Sequence, residues 1–75
     1  MSEPESIVIR GDMIRLGQFL KYASIAESGA QAGAMIADGD VLVDGEVETR
    51  RGRQLGHGAL VEVRLPGSVM SARVG

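Results

Sequence analysis

Three of the chain's eight basic residues fall within Arg50-Arg51-Gly52-Arg53. Arginine at this density suits phosphate. Its planar guanidinium donates two parallel N–H groups to a phosphate and can also stack on a base. Neutralising phosphates and releasing their counterions is the first requirement of nucleic-acid binding. Gly52 lets the backbone come close to such a group. The same four residues also read as a solvated loop that keeps a small protein soluble, and composition alone favours that plainer reading.

A second set precedes it in the chain. Arg15, Gln18, Lys21 and Tyr22 share the polar face of a predicted helix, with Arg15 and Tyr22 two turns apart and nearly in line. Gln18 can bond a ribose hydroxyl or a base edge, and Tyr22 can stack. Against this stands a purely structural reading, in which Arg15 and Lys21 form the polar side of an amphipathic helix and pair with Asp12 and Glu27. Ser28 is placed to cap a second helix, and a cap can also touch a ligand. His57, between Gly56 and Gly58, reads as a loop residue with no assigned role.

Other chemistries are poorly served. The absence of cysteine removes disulfides, thiolate catalysis and cysteine-ligated zinc, and one histidine cannot make a histidine-rich metal site. Asp38, Asp40, Asp44, Glu46 and Glu48 lack the spacing of a calcium loop. No Ser/His/Asp or nucleotide-loop pattern has its required context. A chain of 75 residues makes one domain at most and leaves little room for a deep cleft. The expectation is a protein that is not an enzyme, with no catalytic residue, metal or cofactor. No apolar run approaches the ~20 residues of a membrane span. The acidic start lacks a signal pattern, so a cytoplasmic, membrane-free location is the default expectation. The formal net charge of −2 argues against indiscriminate nucleic-acid binding, but Glu3 and Glu5 account for the excess. Charge distribution then matters more than the sum.

These residues need elements to position them. Residues 1–6 read as a disordered polar tail and residues 7–75 as a single domain. Ile7-Val8-Ile9 is a β-branched run ended by Gly11, and reads as a strand. Asp12 can cap a helix from Met13 to Ala23, with Leu16, Phe19, Leu20 and Ala23 as its buried stripe. Ile14 fits neither face. Ser28 and Gln31 form a capping box for a second helix with an apolar stripe of Ala32, Met35 and Ile36. Gly29 and Gly33 lie beside that stripe, where close approach of the first helix would explain them. Asp38-Gly39 ends the helix. Asp44-Gly45 between β-favouring runs specifies a tight hairpin over Val41–Thr49. Arg50–Gly58 is a connection. Leu60–Leu65 is a strand, Pro66-Gly67 a turn, and Ser68–Val74 an edge strand or a frayed end. Two helices packed on one face of a small, largely antiparallel sheet make an α+β fold.

The stretch from Arg15 to about Val63 resembles the S-four-like RNA-binding domain, named for a small-subunit ribosomal protein, whose helix-helix-hairpin core is the alpha-L motif. The matching residues are Arg15-Leu16-Gly17-Gln18-Phe19-Leu20, then Ser28 to Ala32, then Ile36, Gly39 and Val41, then Val43-Asp44-Gly45. Ser28-Gly29-Ala30-Gln31-Ala32 with Val43-Asp44-Gly45 and Glu48-Thr49-Arg50-Arg51 looks especially like the small stand-alone bacterial members. The core would span residues 12–50.

The resemblance implies binding of structured RNA, often ribosomal or transfer RNA, through the two-helix face and the adjoining hairpin, without catalytic residues. Arg15 matches the basic residue opening the first helix. Gln18 and Lys21 fall on the face that approaches RNA, and Ser28 matches the serine opening the second helix. Arg50 and Arg51 match the basic pair after the hairpin, which Arg53 extends. Where most members place basic residues after that serine, this chain has Gly29 and Ala30. Gly33 stands where the small members commonly carry lysine. The expected partners are structured RNA and the ribosome, bound by a monomer. Two alternatives come from other classes: a protein-interaction module, favoured if Met35 and Ile14 form an exposed patch, and a sulfur-carrier fold, suggested by small size and Gly75.

Overall fold

The computed structural model describes residues 4–75. Its clearest local feature is the hairpin of β3 (Val41–Val43) and β4 (Glu46–Val47), in which Val43 faces Glu46 across the turn. Asp44 and Gly45 both have positive φ, 51° and 87°, as a two-residue turn with the strands' own twist requires. Asp44 has a second task. Its N–H donates to the Leu60 carbonyl at 2.8 Å, and its Oδ1 accepts from the Leu60 N–H at 2.9 Å. The turn is thereby tied to the start of β6 (Leu60–Leu65).

Helix α2 (Gly29–Ala37) is capped as its sequence predicts. Ser28 Oγ accepts from the Gln31 N–H at 3.1 Å, and Gln31 Oε1 accepts from the Glu27 N–H at 2.6 Å. The far end closes through Gly39 N–H to the Ile36 carbonyl and Asp40 N–H to the Met35 carbonyl, with Gly39 at φ 81°. This is the paired-bond ending that a left-handed residue permits.

Helix α1 differs from expectation at its start. It runs over Leu16–Tyr22, with Arg15 and not Asp12 at the cap position. Ile14–Arg15 instead forms a short strand, β2, antiparallel to β5 (Gln54–Leu55). This places Ile14, which no helical stripe accommodates: it faces Leu55 and is half-buried. It also puts order into the stretch read as a bare connection.

The main sheet has the order β1-β7-β6-β3-β4. Strand β7 (Ser68–Val74) pairs antiparallel with β6 on one side and parallel with β1 (Glu5–Ile7) on the other. It is therefore an interior strand, neither an edge nor a frayed end. The reading of residues 1–6 as a disordered tail holds for neither Glu5 nor Ser6, which belong to β1; residues 1–3 lie outside the described residues. β1 starts earlier than the Ile7–Ile9 run, and Val8 is exposed while Ile9 is buried.

One core joins these parts. Leu16, Phe19 and Leu20 of α1 and Ala32 and Ile36 of α2 cluster with Val41, Val43, Leu55, Val61, Val63, Ala72 and Val74. The apolar stripes of both helices thus meet one face of the sheet, which is the expected α+β layout. Met35 and Ile14 are half-buried and pack on this core, so they form no exposed patch. No helix among the described residues is long and apolar enough to cross a membrane.

Candidate nucleic-acid interface

The first N–H groups of a helix have no partner inside it. In α1 they are satisfied by the arginine-rich connection. Leu16 N–H donates to the Arg53 carbonyl at 2.8 Å, and Gly17 N–H donates to the Arg51 carbonyl at 2.9 Å. Two backbone bonds therefore seat the loop 50–53 against the start of α1. Residues far apart in sequence become one surface.

On that surface Arg15, Gln18 and Lys21 of the first segment line an open groove of about 530 Å³ together with Arg51, Gly17, Gly29 and Gly52. Arg15, Lys21 and Arg51 are all exposed. The ion pairs among the described residues are those of Glu48 with Arg50 and Arg53, so the groove's three cations carry no carboxylate partner there. Pairing of Arg15 or Lys21 with Asp12 or Glu27 does not occur. Gln18 Oε1 accepts from the Arg15 N–H at 3.3 Å and holds that segment at the helix start.

Arg50 and Arg53 sit differently. They line an adjoining hollow with Gly52 and Gln54. Both are bound by Glu48, a residue only 7% exposed. Arg50 Nε and Nη2 donate to its two carboxylate oxygens at 3.0 and 3.2 Å, and Arg53 Nη1 donates at 2.8 Å. The Arg50 N–H adds a fourth bond at 3.1 Å. The Arg50 side chain, then Arg53 and the Arg50 backbone, hold the Glu48 carboxyl down at about 2. Arg50 is held charged in return. A carboxylate that accepts several charge-assisted bonds resists protonation in this way.

The two glycines of α2 have different neighbours. A β-carbon at Gly33 would stand 3.6 Å from Arg51 Nη1 and 3.8 Å from its Cδ, and one at Gly29 would stand 3.9 Å from Lys21 Cδ. The neighbour of Gly29 does lie on α1, as the spacing suggests. The neighbour of Gly33 is the Arg51 side chain. Helix α2 carries no charge of its own, and the positive side chains beside it come from α1 and from the loop.

The remaining candidates separate. Ser28 is exposed, and its hydroxyl is engaged as the α2 cap. Tyr22 lies outside the basic groove, in a neighbouring hollow that shares Gln18 with it. His57 is more than a loop residue. One ring nitrogen faces the Gly75 carbonyl and the other the Gly11 carbonyl at 3.1 Å, which ties three segments together away from the groove.

Residues 7–70 match the profile of the S4 domain. The chain belongs to the S4 domain family. Among curated relatives, “Probable ribosome maturation protein RlbA” of Bacillus subtilis (strain 168) is 45% identical over 62 residues, covering 83% of this chain and 87% of that protein. “Putative RNA-binding protein YbcJ” of Escherichia coli (strain K12) is 53% identical over 38 residues, 51% of this chain and 54% of that protein.

For this S4 domain, the sequence pointed to the arginine loop and the α1 face but missed how they are joined. Gly33 stands out in the sequence as the place where small family members commonly carry lysine, but neither it, Gly17 nor Glu48 is marked there as a contact of the arginine loop. For Glu48 a signal existed: an acidic residue two positions before Arg50, at the end of a hairpin strand, invites a local pair. Gly17 and Gly33 matter through contact with Arg51, which only the fold creates.

Proposed function

We propose that this S4 domain is a non-catalytic protein that binds structured RNA by its phosphates, in the groove between the α1 face and the loop 50–53. The observation that carries this reading is the convergence of Arg15, Lys21 and Arg51 on one open groove, each exposed and without a carboxylate partner among the described residues. Three cations held on a rigid helix and a loop bonded to it can follow a folded backbone, and Gln18 adds a hydrogen-bonding side chain among them.

The RNA proposed is ribosomal, with transfer RNA as the comparison. The name of the Bacillus relative, which matches along most of its length, supports this choice. The protein-interaction alternative gains nothing from Met35 and Ile14, which pack on the core.

The test is titration of the purified protein into labelled ribosomal RNA fragments and transfer RNA across a range of salt. Three phosphate contacts correspond to a slope of log K against log salt of roughly −2 to −3. Binding with that slope, stronger for the ribosomal fragments, is the expected result. Absence of binding at low salt would remove the reading.

A further inference from the structure

Beside the basic groove lies a second hollow, lined by Ile9, Arg10, Met13, Ile14, Gln18 and Tyr22. It differs in chemistry: four of its six side chains are apolar or aromatic. Of the chain's two aromatic residues, Phe19 is fully buried and Tyr22 is 57% exposed. Met13 beside it is 42% exposed. Tyr22 therefore contributes little to the core and presents much of its ring to solvent. The two hollows adjoin at Gln18, which lines both. Gln18 Oε1 is occupied by the Arg15 N–H, while its amide N–H groups have no partner among the described residues. Arg10 is exposed and brings a positive charge to this side.

We propose that this second hollow is a subsite for a single unpaired nucleobase, taken from an RNA whose backbone lies in the basic groove. The inference rests on the RNA reading above and goes further, because it names the feature the RNA must carry. A base displaced from a helix exposes an apolar face and a polar edge. Tyr22 and Met13 supply apolar surface for the face, and the Gln18 amide supplies donors for the edge. Arg10 meets the phosphate on the outer side of that nucleotide. A fully paired duplex offers no such base, so the hollow selects bulged or looped RNA.

Three hairpin RNAs test this: one fully paired, one with a single bulged nucleotide, and one with an abasic nucleotide at the bulge. The abasic form keeps the extra phosphate and the bend but removes the base. Binding is followed by anisotropy of a label at the hairpin end, at several salt concentrations. The bulged RNA is expected to bind about tenfold tighter than the abasic one, within the range of base–aromatic stacking. Tyr22→Ala abolishes that preference without changing the salt slope, and Tyr22→Phe retains it. Thermal melting of both variants confirms that they fold. Equal affinity for bulged and abasic RNA, with a normal salt slope, overturns the subsite and leaves the RNA reading standing. A preference that survives Tyr22→Ala overturns the subsite as well. No binding of any of the three RNAs overturns both.

Discussion

Gly17 and Arg51 are joined by a 2.9 Å bond from the Gly17 N–H to the Arg51 carbonyl. The approach is close, though not so close that a β-carbon would clash. A β-carbon at Gly17 would lie 3.5 Å from both the Arg51 Cβ and its carbonyl oxygen. The backbone of Arg51 is thus seated on the start of α1, while its side chain crosses toward Gly33 of α2. Its neighbours Arg50 and Arg53 are committed to Glu48. Three arginines that look equivalent in sequence divide into two that share Glu48 and one that does not.

The first prediction follows from that inequality. Arg51→Ala lowers RNA affinity roughly tenfold and reduces the salt slope by about one. Arg50→Ala lowers it less, because a guanidinium already bonded to Glu48 gives up part of that bond to meet a phosphate. Anisotropy titrations of the two variants at matched salt decide the order. An equal or larger loss in Arg50→Ala would mean that Glu48 does not hold Arg50 back.

Glu48 gives a prediction about acid. Its carboxyl is depressed to about 2 in the folded protein, from the 4.5 of an ordinary glutamate. A group whose pKa falls on folding stabilises the fold above its unfolded value, and that stability is lost as pH falls through the folded value. The Glu48 contribution is therefore complete above about pH 5 and drains away between there and pH 2. Urea unfolding of the parent and of Glu48→Gln across this range should show two curves that are separated near neutrality and merge at the acid end. A constant separation would place the effect of the substitution in packing and not in the ionised pair.

Gly33 tests whether the small residue is required. Inside a helix, glycine costs about 0.8–1 kcal/mol relative to alanine. The Arg51 side chain lies at ordinary contact distance from the site of a new methyl, so alanine fits. Gly33→Ala should raise the melting temperature by about 4–8 °C, the shift expected for 1 kcal/mol in a domain of this size. RNA affinity should change little. A lower melting temperature would show that Arg51 cannot give way and that glycine is needed for close approach.

What could be read in advance divides along physical lines. The Asp44-Gly45 turn, the Ser28 cap and the buried stripe of α1 were legible because each is a local rule that acts within a few residues. The start of α1 was not. Asp12 is a good cap by type, but the N–H groups of Leu16 and Gly17 are satisfied by carbonyls more than thirty residues away. β7 was obscure because only Ala72 and Val74 are buried in it, whereas Val69 and Met70 are exposed. Its interior place comes from pairing with β1, which no local pattern reveals. The candidate site shows the same split. Its residue types were visible, but their division into one free arginine and two paired ones depends on where Glu48 lies.

The last prediction concerns what holds the loop. Leu55 is 1% exposed and follows the arginines on β5, where it faces Ile14 of β2. That pairing lies between the loop 50–53 and the start of α1, and is expected to help hold the two together. Leu55→Ala removes buried side chain at a cost of about 2–5 kcal/mol, part of it from the cavity left behind. Such a loss consumes much of a stability of about 5–15 kcal/mol, so affinity is compared in the cold where urea unfolding shows each variant still folded. Under those conditions RNA affinity should still fall, because Arg51 would no longer be held opposite Arg15 and Lys21. Val74→Ala is the control, since Val74 is equally buried but lines neither the basic groove nor its neighbour. Urea unfolding gives the stability of each variant, and anisotropy at 10 °C gives its affinity. Weakened binding in Leu55→Ala alone would tie the groove to the β2–β5 pair. Equal affinity in both variants would mean that the two backbone bonds to Leu16 and Gly17 hold the loop without help from Leu55.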